Sequence, residues 1–408
     1  MNPILLVTLA AFALLAWKDH RKAFLLFVAA LPAYVVRFKI GNVPTTALEA
    51  LFAILFFAWM CKREKRLIDI KGWGWLLLAW ITVATISLFV SPDFRAAAGV
   101  WKAYFIEPIL FFLIASDLMR TQDDRDNVVR SLAWSAIGVA TMAILQHWTN
   151  WGVPPPWNLP GQERSTSIYG YPNAIGLFLA PLMPLFLKKK PLHLTALALS
   201  TLAIVFAQTE GAIVGLLAGF GVYLLCFKKT RRVALCAGGI AALIILATPK
   251  LRTFAIEKLT LSDWSGRVRK EMWIETSHML KDHAVLGAGL SGYPKVFDAY
   301  HKARHIEIFQ YPHNILLNFW VETGLAGIAV FIMLIVRFVV SLRETFRKDS
   351  SMRVWVSMLL ASMTTLLVHG LVDVPYFKND LSLLFWLLLA LAGATLAQVR
   401  SIDKRTKN

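Results

Sequence analysis

Apolar positions dominate this chain in long runs, and polar or basic positions fall in short clusters between them. The runs cover 3–17, 23–36, 46–61, 73–91, 97–116, 128–147, 173–187, 191–207, 212–227, 233–247, 315–341, 354–374 and 382–398. A helical run near 20 residues matches the hydrocarbon thickness of a bilayer, and a helix satisfies its own backbone groups there. The pattern predicts an all-α, polytopic membrane helix bundle of about 12–13 transmembrane helices, with residues 1–408 forming one membrane domain. The first three runs are short, and Pro32 interrupts the second. The first run has no basic segment before it and no small-residue cleavage site after it, so it reads as a retained span.

Two stretches break the rhythm. Residues 248–313 are too many for a connector, and long ordered loops are usually functional. Within them, Gly266 to Leu286 reads as a helix, with Val268, Met272, Trp273, Met279 and Leu280 forming an apolar stripe at helical spacing. Ser265 is a candidate N-cap and Gly287 a candidate C-cap. Arg267, Arg269 and Lys270 stand in its first turn, against the helix dipole. They point either to an anionic ligand or to a helix lying on lipid headgroups. The second stretch, 148–172, is rich in Pro, Trp and Gly, and Arg164 is its only basic residue. Its tryptophans suit either a membrane interface or a sugar face.

Composition agrees with the pattern. The chain is 57% hydrophobic and 17% charged, with a mean hydropathy of +0.57, against about 45–50% and 25% in soluble domains. That excludes a soluble enzyme, a disordered chain and a nucleic-acid-binding module. The formal charge of +18 comes with basic clusters beside span ends, such as Lys62 to Lys71, Lys188 to Lys190, Lys228 to Arg232 and Arg400 to Lys407. Positive charge retained in cytoplasmic loops explains them together with anionic lipid, without a nucleic-acid partner. The rule places 148–172, the large loop 248–313 and the turns near Arg37, Ser91, Thr209 and Asp373 on the external face. Cys61, Cys226 and Cys236 lack metal-ligand spacing and read as packing residues.

No phosphate-cradling loop, HExxH, CxxC or GxSxG motif occurs, so no metal site or cofactor is called. Gly211, Gly215 and Gly219 recur every fourth residue, as in closely packed helices. Lys102 and Glu107 fall inside a run, where ionisable groups are costly and often functional. They pair either with each other or with other helices. The sharper candidates are Tyr311-Pro312-His313-Asn314, which opens a span, and His369 and Asp373, four apart at the end of another. A helix N-terminus favours a neutral imidazole, which can accept a proton from a hydroxyl. The same end suits phosphate oxygens. A capping or interfacial histidine has the same pattern.

The segments GRVRKEMWIETSHMLKDHAVLGAGLSGY and YPHNILLNFWVETGLAG resemble the signature region of the O-antigen ligase and O-antigen polymerase superfamily. YPNAIGLFLAPL is similar to its Pro-Asn block. The resemblance implies a metal-independent membrane glycosyltransferase of the cytoplasmic (inner) membrane of a bacterium, active on the periplasmic side. It would move a glycan from undecaprenyl diphosphate to a glycolipid or glycan acceptor, as in lipopolysaccharide biosynthesis. It assigns His313 and Arg267 to catalysis and donor binding, with Asn314 beside them. A second family arginine falls where this chain has Glu210, an acid that cannot neutralise a diphosphate. Either Arg164, Arg269 or Lys378 supplies that cation or the donor chemistry differs; Glu210 then pairs with a cation or orients the acceptor, and Asp373 joins the substrate-binding candidates. A transporter or flippase of lipid-linked saccharide stays open, as do polymerase and protein-glycosylating variants.

Overall fold

A computed structural model describes residues 3–63, 68–188, 190–303 and 305–407, with side chains as far as residue 403. Lys65, Arg66 and Lys189 of the basic clusters, and Arg304 of the long loop, lie outside the described residues. Each apolar run has become helix. The first half holds α1 (Pro3–Lys18), α2 (His20–Ala29), α3 (Ala47–Lys62), α4 (Gly74–Val90), α5 (Phe94–Trp101), α6 (Glu107–Leu118) and α7 (Gln122–Thr149). Then come α8 (Asn173–Leu182), α9 (Pro191–Ala207), α10 (Glu210–Leu225) and α11 (Lys228–Ala247). Within the long loop lie α12 (Pro249–Leu259), α13 (Trp264–Asp282) and α14 (Tyr293–Phe297). The chain ends with α15 (Ile315–Lys348), α16 (Arg353–His369) and α17 (Asn379–Lys407). Among the described residues, six helical stretches are long and apolar enough to cross a membrane, and five further apolar helices are shorter. The protein is an all-α multi-pass membrane bundle.

The bundle is built around α17. A helix apolar on all sides must be enclosed, and Leu383 to Ala392 are at most 2% exposed. Trp386 donates to the Tyr376 hydroxyl (3.0 Å), which donates to the Tyr104 carbonyl (2.7 Å). Trp80 and Phe319 close round this pair, with ring centroids 5.3 Å apart.

Helix α10 packs on α16 through the glycine stripe. A Cβ on Gly215 would lie 2.7 Å from the Thr365 carbonyl oxygen, and one on Gly211 would meet the His369 ring at 2.8 Å. Overpacking such a contact costs about 1–3 kcal/mol. Gly215→Val is therefore expected to lower thermal stability in detergent and the amount of folded protein in membranes; an unchanged melting temperature would mean that the two helices do not depend on this contact.

Three irregularities were not legible as spans. Residues 37–46, expected as a short turn, form a hairpin of β1 (Arg37–Ile40) and β2 (Val43–Thr46), turning at Gly41 with φ +58°. Between α5 and α6, Lys102–Ile106 is a π turn. Its five-residue period brings Lys102 within 3.7 Å of Glu107, and Lys102 also reaches Glu49 at 3.1 Å. Helix α15 breaks at Gly324 (φ +67°). Into that break the long loop inserts Val285 to Leu290: Ala288 donates to the Val321 carbonyl and Leu325 to that of Val285. Gly287 and Gly289 have φ +69° and +78° and touch the backbones of Val321 and Ser91, leaving no room for side chains.

Helix α13 differs in extent from the Gly266–Leu286 expectation. It begins after Asp263, which accepts the Lys258 ammonium at 2.9 Å, and ends at His283. Gly287 serves the inserted turn, and Ser265 lies inside the helix. Met272, Met279 and Leu280 are buried as the stripe predicted, and Glu275 and Thr276 are buried with them. The Glu275 carboxylate accepts from His301 (2.9 Å) and from the Lys302 and Ala303 amides (both 2.8 Å). Burial alone would raise this carboxyl, but those hydrogen bonds hold it below its ordinary range. Cys61 and Cys236 are exposed rather than packed in the bundle, Cys226 is half-buried, and all three are free.

Candidate active site

The turns at 37–46, 91–95 and 207–210 gather at one end of the bundle with 148–172, 285–313 and 370–378. Arg95 donates to the Asn42 carbonyl (3.0 Å), Leu290 to that of Ser87 (3.2 Å) and Arg164 to that of Ala207 (2.9 Å). At the opposite end lie pairs between basic clusters and acids, among them Lys188 with Asp126 and Arg400 with Glu344.

His313 stands at the centre of the first end. Its φ is +46°, a left-handed backbone uncommon for a residue with a side chain. Asn314 is the true N-cap of α15: its Oδ1 accepts from the Leu316 and Leu317 amides, both at 3.0 Å, and its Nδ2 donates to the Leu371 carbonyl (2.9 Å). The helix end is thus satisfied from within, which frees His313 from capping. His313 lies between the rings of Phe309 and Tyr311, with centroids 5.1 and 5.3 Å away.

The Nδ1 atom of His313 is 3.4 Å from Asp373 Oδ1. Asp373 is 3% exposed and also accepts from the Val374 amide (2.8 Å) and from Asn173 Nδ2 (3.3 Å). Burial pushes its carboxyl up, but His313, His369 and the Val374 amide outweigh burial and hold it at about 2. An ionised Asp373 can only accept, so it favours the proton on Nδ1 of His313 and leaves the Nε2 lone pair free.

The relay continues outward. Asn173, the first residue of α8, accepts from Arg164 Nη2 (3.2 Å). Arg164 also donates to the Ala207 and Gln208 carbonyls and stacks over Trp157 at 5.0 Å. On the other side, α13 is fastened across the site at two points. Trp273 donates to the Pro312 carbonyl (2.7 Å), and Arg269 Nε donates to that of Val372 (2.8 Å). Arg269 is thereby the α13 guanidinium nearest His313 and Asp373. Arg267 sits two residues earlier, about 200° around the helix; it is exposed, with no hydrogen bond or ion pair of its guanidinium among the described residues. Lys378 lies 3.8 Å from the Tyr171 ring centre, and burial lowers it below the ordinary lysine range. His369 is buried against the α10 glycines.

Glu210 pairs with Lys258 at 2.7 Å, and Lys258 also holds Asp263. The carboxylate joins α10 to the start of the long loop rather than facing His313. Its side chain is 61% exposed, so the pair adds at most about 1 kcal/mol. Glu210→Gln is expected to leave melting unchanged and to keep more than half of the activity. A tenfold loss at normal abundance would instead place Glu210 on a substrate.

Asn173 is the member of this cluster that sequence reasoning did not single out, and Trp273 was read there only as part of the apolar stripe of α13. A signal was available: Tyr171-Pro172-Asn173 and Tyr311-Pro312-His313-Asn314 both open helices with the same Tyr-Pro step.

A membrane bundle with a histidine–carboxylate pair and several cations at one end defines a multi-pass membrane protein with a polar site among its loops. More particularly, residues 195–332 match a family model described as O-Antigen ligase. The chain is O-antigen ligase-like over that stretch, which contains Glu210, Arg267, Arg269, His313 and Asn314 and excludes Arg164, Asn173, Asp373 and Lys378. The match supports an O-antigen ligase- or polymerase-type function in general. No curated protein matches the chain.

Proposed function

We propose that the protein transfers a glycan from undecaprenyl diphosphate to an acceptor hydroxyl at the external face of the cytoplasmic membrane. The observation that carries this reading is the His313–Asp373 pair, held between Asn173 and α13 beside cations. In this reading Nε2 of His313 takes the proton of the acceptor hydroxyl as its oxygen attacks the anomeric carbon of the donor sugar. The bond from that carbon to the diphosphate breaks, and the carrier diphosphate leaves with the electron pair. Arg267, with its uncommitted guanidinium, grips the diphosphate and offsets the charge gathering on it. Arg269, committed to Val372 and Ser265, holds the 370–378 turn in place and adds positive field. Asp373 orients the imidazole and stabilises it once protonated.

The test is made with purified full-length protein in proteoliposomes, given a defined undecaprenyl-diphosphate glycan and an acceptor without nucleotide. A new glycoconjugate is expected. Intact donor crossing to the opposite leaflet with no conjugate formed would assign the protein to transport.

A further inference from the structure

Beside His313, and sharing Tyr311 with it, lies a cavity of about 820 Å³. Neither His313 nor Arg267 lines it. Its floor is the first turns of α15: Asn318 is 1% exposed and Glu322 4%. Both amide atoms of Asn318, and the hydroxyls of Tyr169 and Tyr171, are buried without a hydrogen-bond partner among the described residues. Buried polar groups are nearly always paired, by protein, water or ligand. Four such atoms on one cavity mark a place where hydroxyl-rich matter is received. Tyrosine rings beside them supply flat apolar faces of the kind that pack on sugar rings.

The mouth is made by the hairpin. Arg37, Lys39, Pro44 and Thr46 share one face of β1–β2 through the two-residue period and the register Arg37↔Thr46, Lys39↔Pro44. All four line the cavity. Neither Arg37 nor Lys39 has a carboxylate partner among the described residues. The two carboxylates in the wall are engaged or deep. Glu49 is held by Lys102 (3.1 Å), Thr45 (2.7 Å) and Asn379 (3.1 Å), and Glu322 accepts the Ser291 amide (2.6 Å). Lys378, also in the wall, has the buried Asp380 as its counter-charge. The free charge at the mouth is therefore positive, while the floor offers hydrogen bonds.

We propose that this cavity binds an anionic saccharide, such as a uronic-acid-containing glycan, with Arg37 and Lys39 on its carboxylate and Asn318, Tyr169 and Tyr171 on its hydroxyls. The proposal rests on the glycan-transfer reading and names the substrate class for it. The acid can be carried by the donor glycan or by the acceptor. Shared through Tyr311, the cavity holds a sugar next to the His313 imidazole without using the diphosphate-binding arginine.

Binding is measured with the full chain in phosphatidylcholine nanodiscs, using tetragalacturonate and neutral maltotetraose as probes. Tetragalacturonate is expected to bind at least about tenfold more tightly. The double variant Arg37→Gln/Lys39→Gln, altered only on the exposed hairpin, should lose that preference; Asn318→Leu should weaken both probes, and His313→Ala neither. In transfer assays, competition against acceptor or against donor shows which substrate carries the acid. Equal affinity for the two probes, or a preference that survives in the double variant, would overturn the proposal. Binding is read without turnover, so a protein that prefers the acid but transfers nothing loses the transfer reading and keeps this one.

Discussion

Replacing His313 by Ala is expected to lower glycan transfer by about 10²–10⁴-fold, the usual cost of removing a general base, while the protein folds, inserts and binds donor. The structure separates this residue from the roles that would make the loss trivial. Asn314, not His313, caps α15, and the imidazole is only part-buried, its side chain 21% exposed. His313→Asn and His313→Ser, which preserve a polar side chain, should be nearly as inactive as His313→Ala; near-normal transfer in either would remove the catalytic role. Asp373→Asn should also cost on the order of 10²-fold or more, because an amide no longer enforces the proton on Nδ1. Asp373 also fixes a pH range for the fold. Asp373 is held at about 2, below the ordinary carboxylate range, so its stabilising contribution is complete above about pH 4 and disappears only as pH falls through 2. The His313–Asp373 pairing and the fold should therefore survive mild acidification. Unfolding on mild acidification that Asp373→Asn abolishes would contradict an Asp373 carboxyl held so low.

Arg267→Ala is expected to raise the donor concentration needed for half-maximal rate by about tenfold or more, with little change in folding. An exposed guanidinium with no partner among the described residues contributes little to stability, and a charge-assisted bidentate pair with phosphate is among the stronger polar contacts. Arg267→Lys keeps the charge but not the planar fork, and should retain less than half of the transfer rate at equal membrane abundance. Arg269→Ala should behave differently. It frees the Val372 carbonyl and loosens the turn that carries Asp373, so the loss should appear in the maximal rate more than in donor affinity. Full activity in Arg267→Ala would remove that residue from the donor site.

The bundle was legible because a bilayer imposes a crude rule: every apolar run long enough to span became helix, including the short first three. What the rule does not see is where a helix departs from a regular period. The π turn at Lys102–Ile106 needs a spacing of five, and the hairpin strands are four residues each, too short for alternation to stand out between two apolar runs. The break at Gly324 is chosen by the turn from Val285 to Leu290, a contact from a distant part of the chain. The site follows the same division. His313 and Asp373 were individually visible as polar residues at span ends, and Arg164 and Arg269 as cations of the two long loops. Their assembly was not, because it runs through Asn173 Nδ2, a tryptophan and backbone carbonyls that carry no charge signal. Arg267 and Arg269 look alike in sequence; the helical turn between them gives one a structural contact and leaves the other open.

The most direct measurement is a single-turnover count in proteoliposomes without nucleotide, using donor labelled separately in its glycan and its carrier lipid. The account predicts one undecaprenyl diphosphate released for each glycan joined to an acceptor hydroxyl, with both products absent in His313→Ala protein that still binds donor. Release of carrier at the same rate in His313→Ala, or movement of donor with both labels still together, would contradict it.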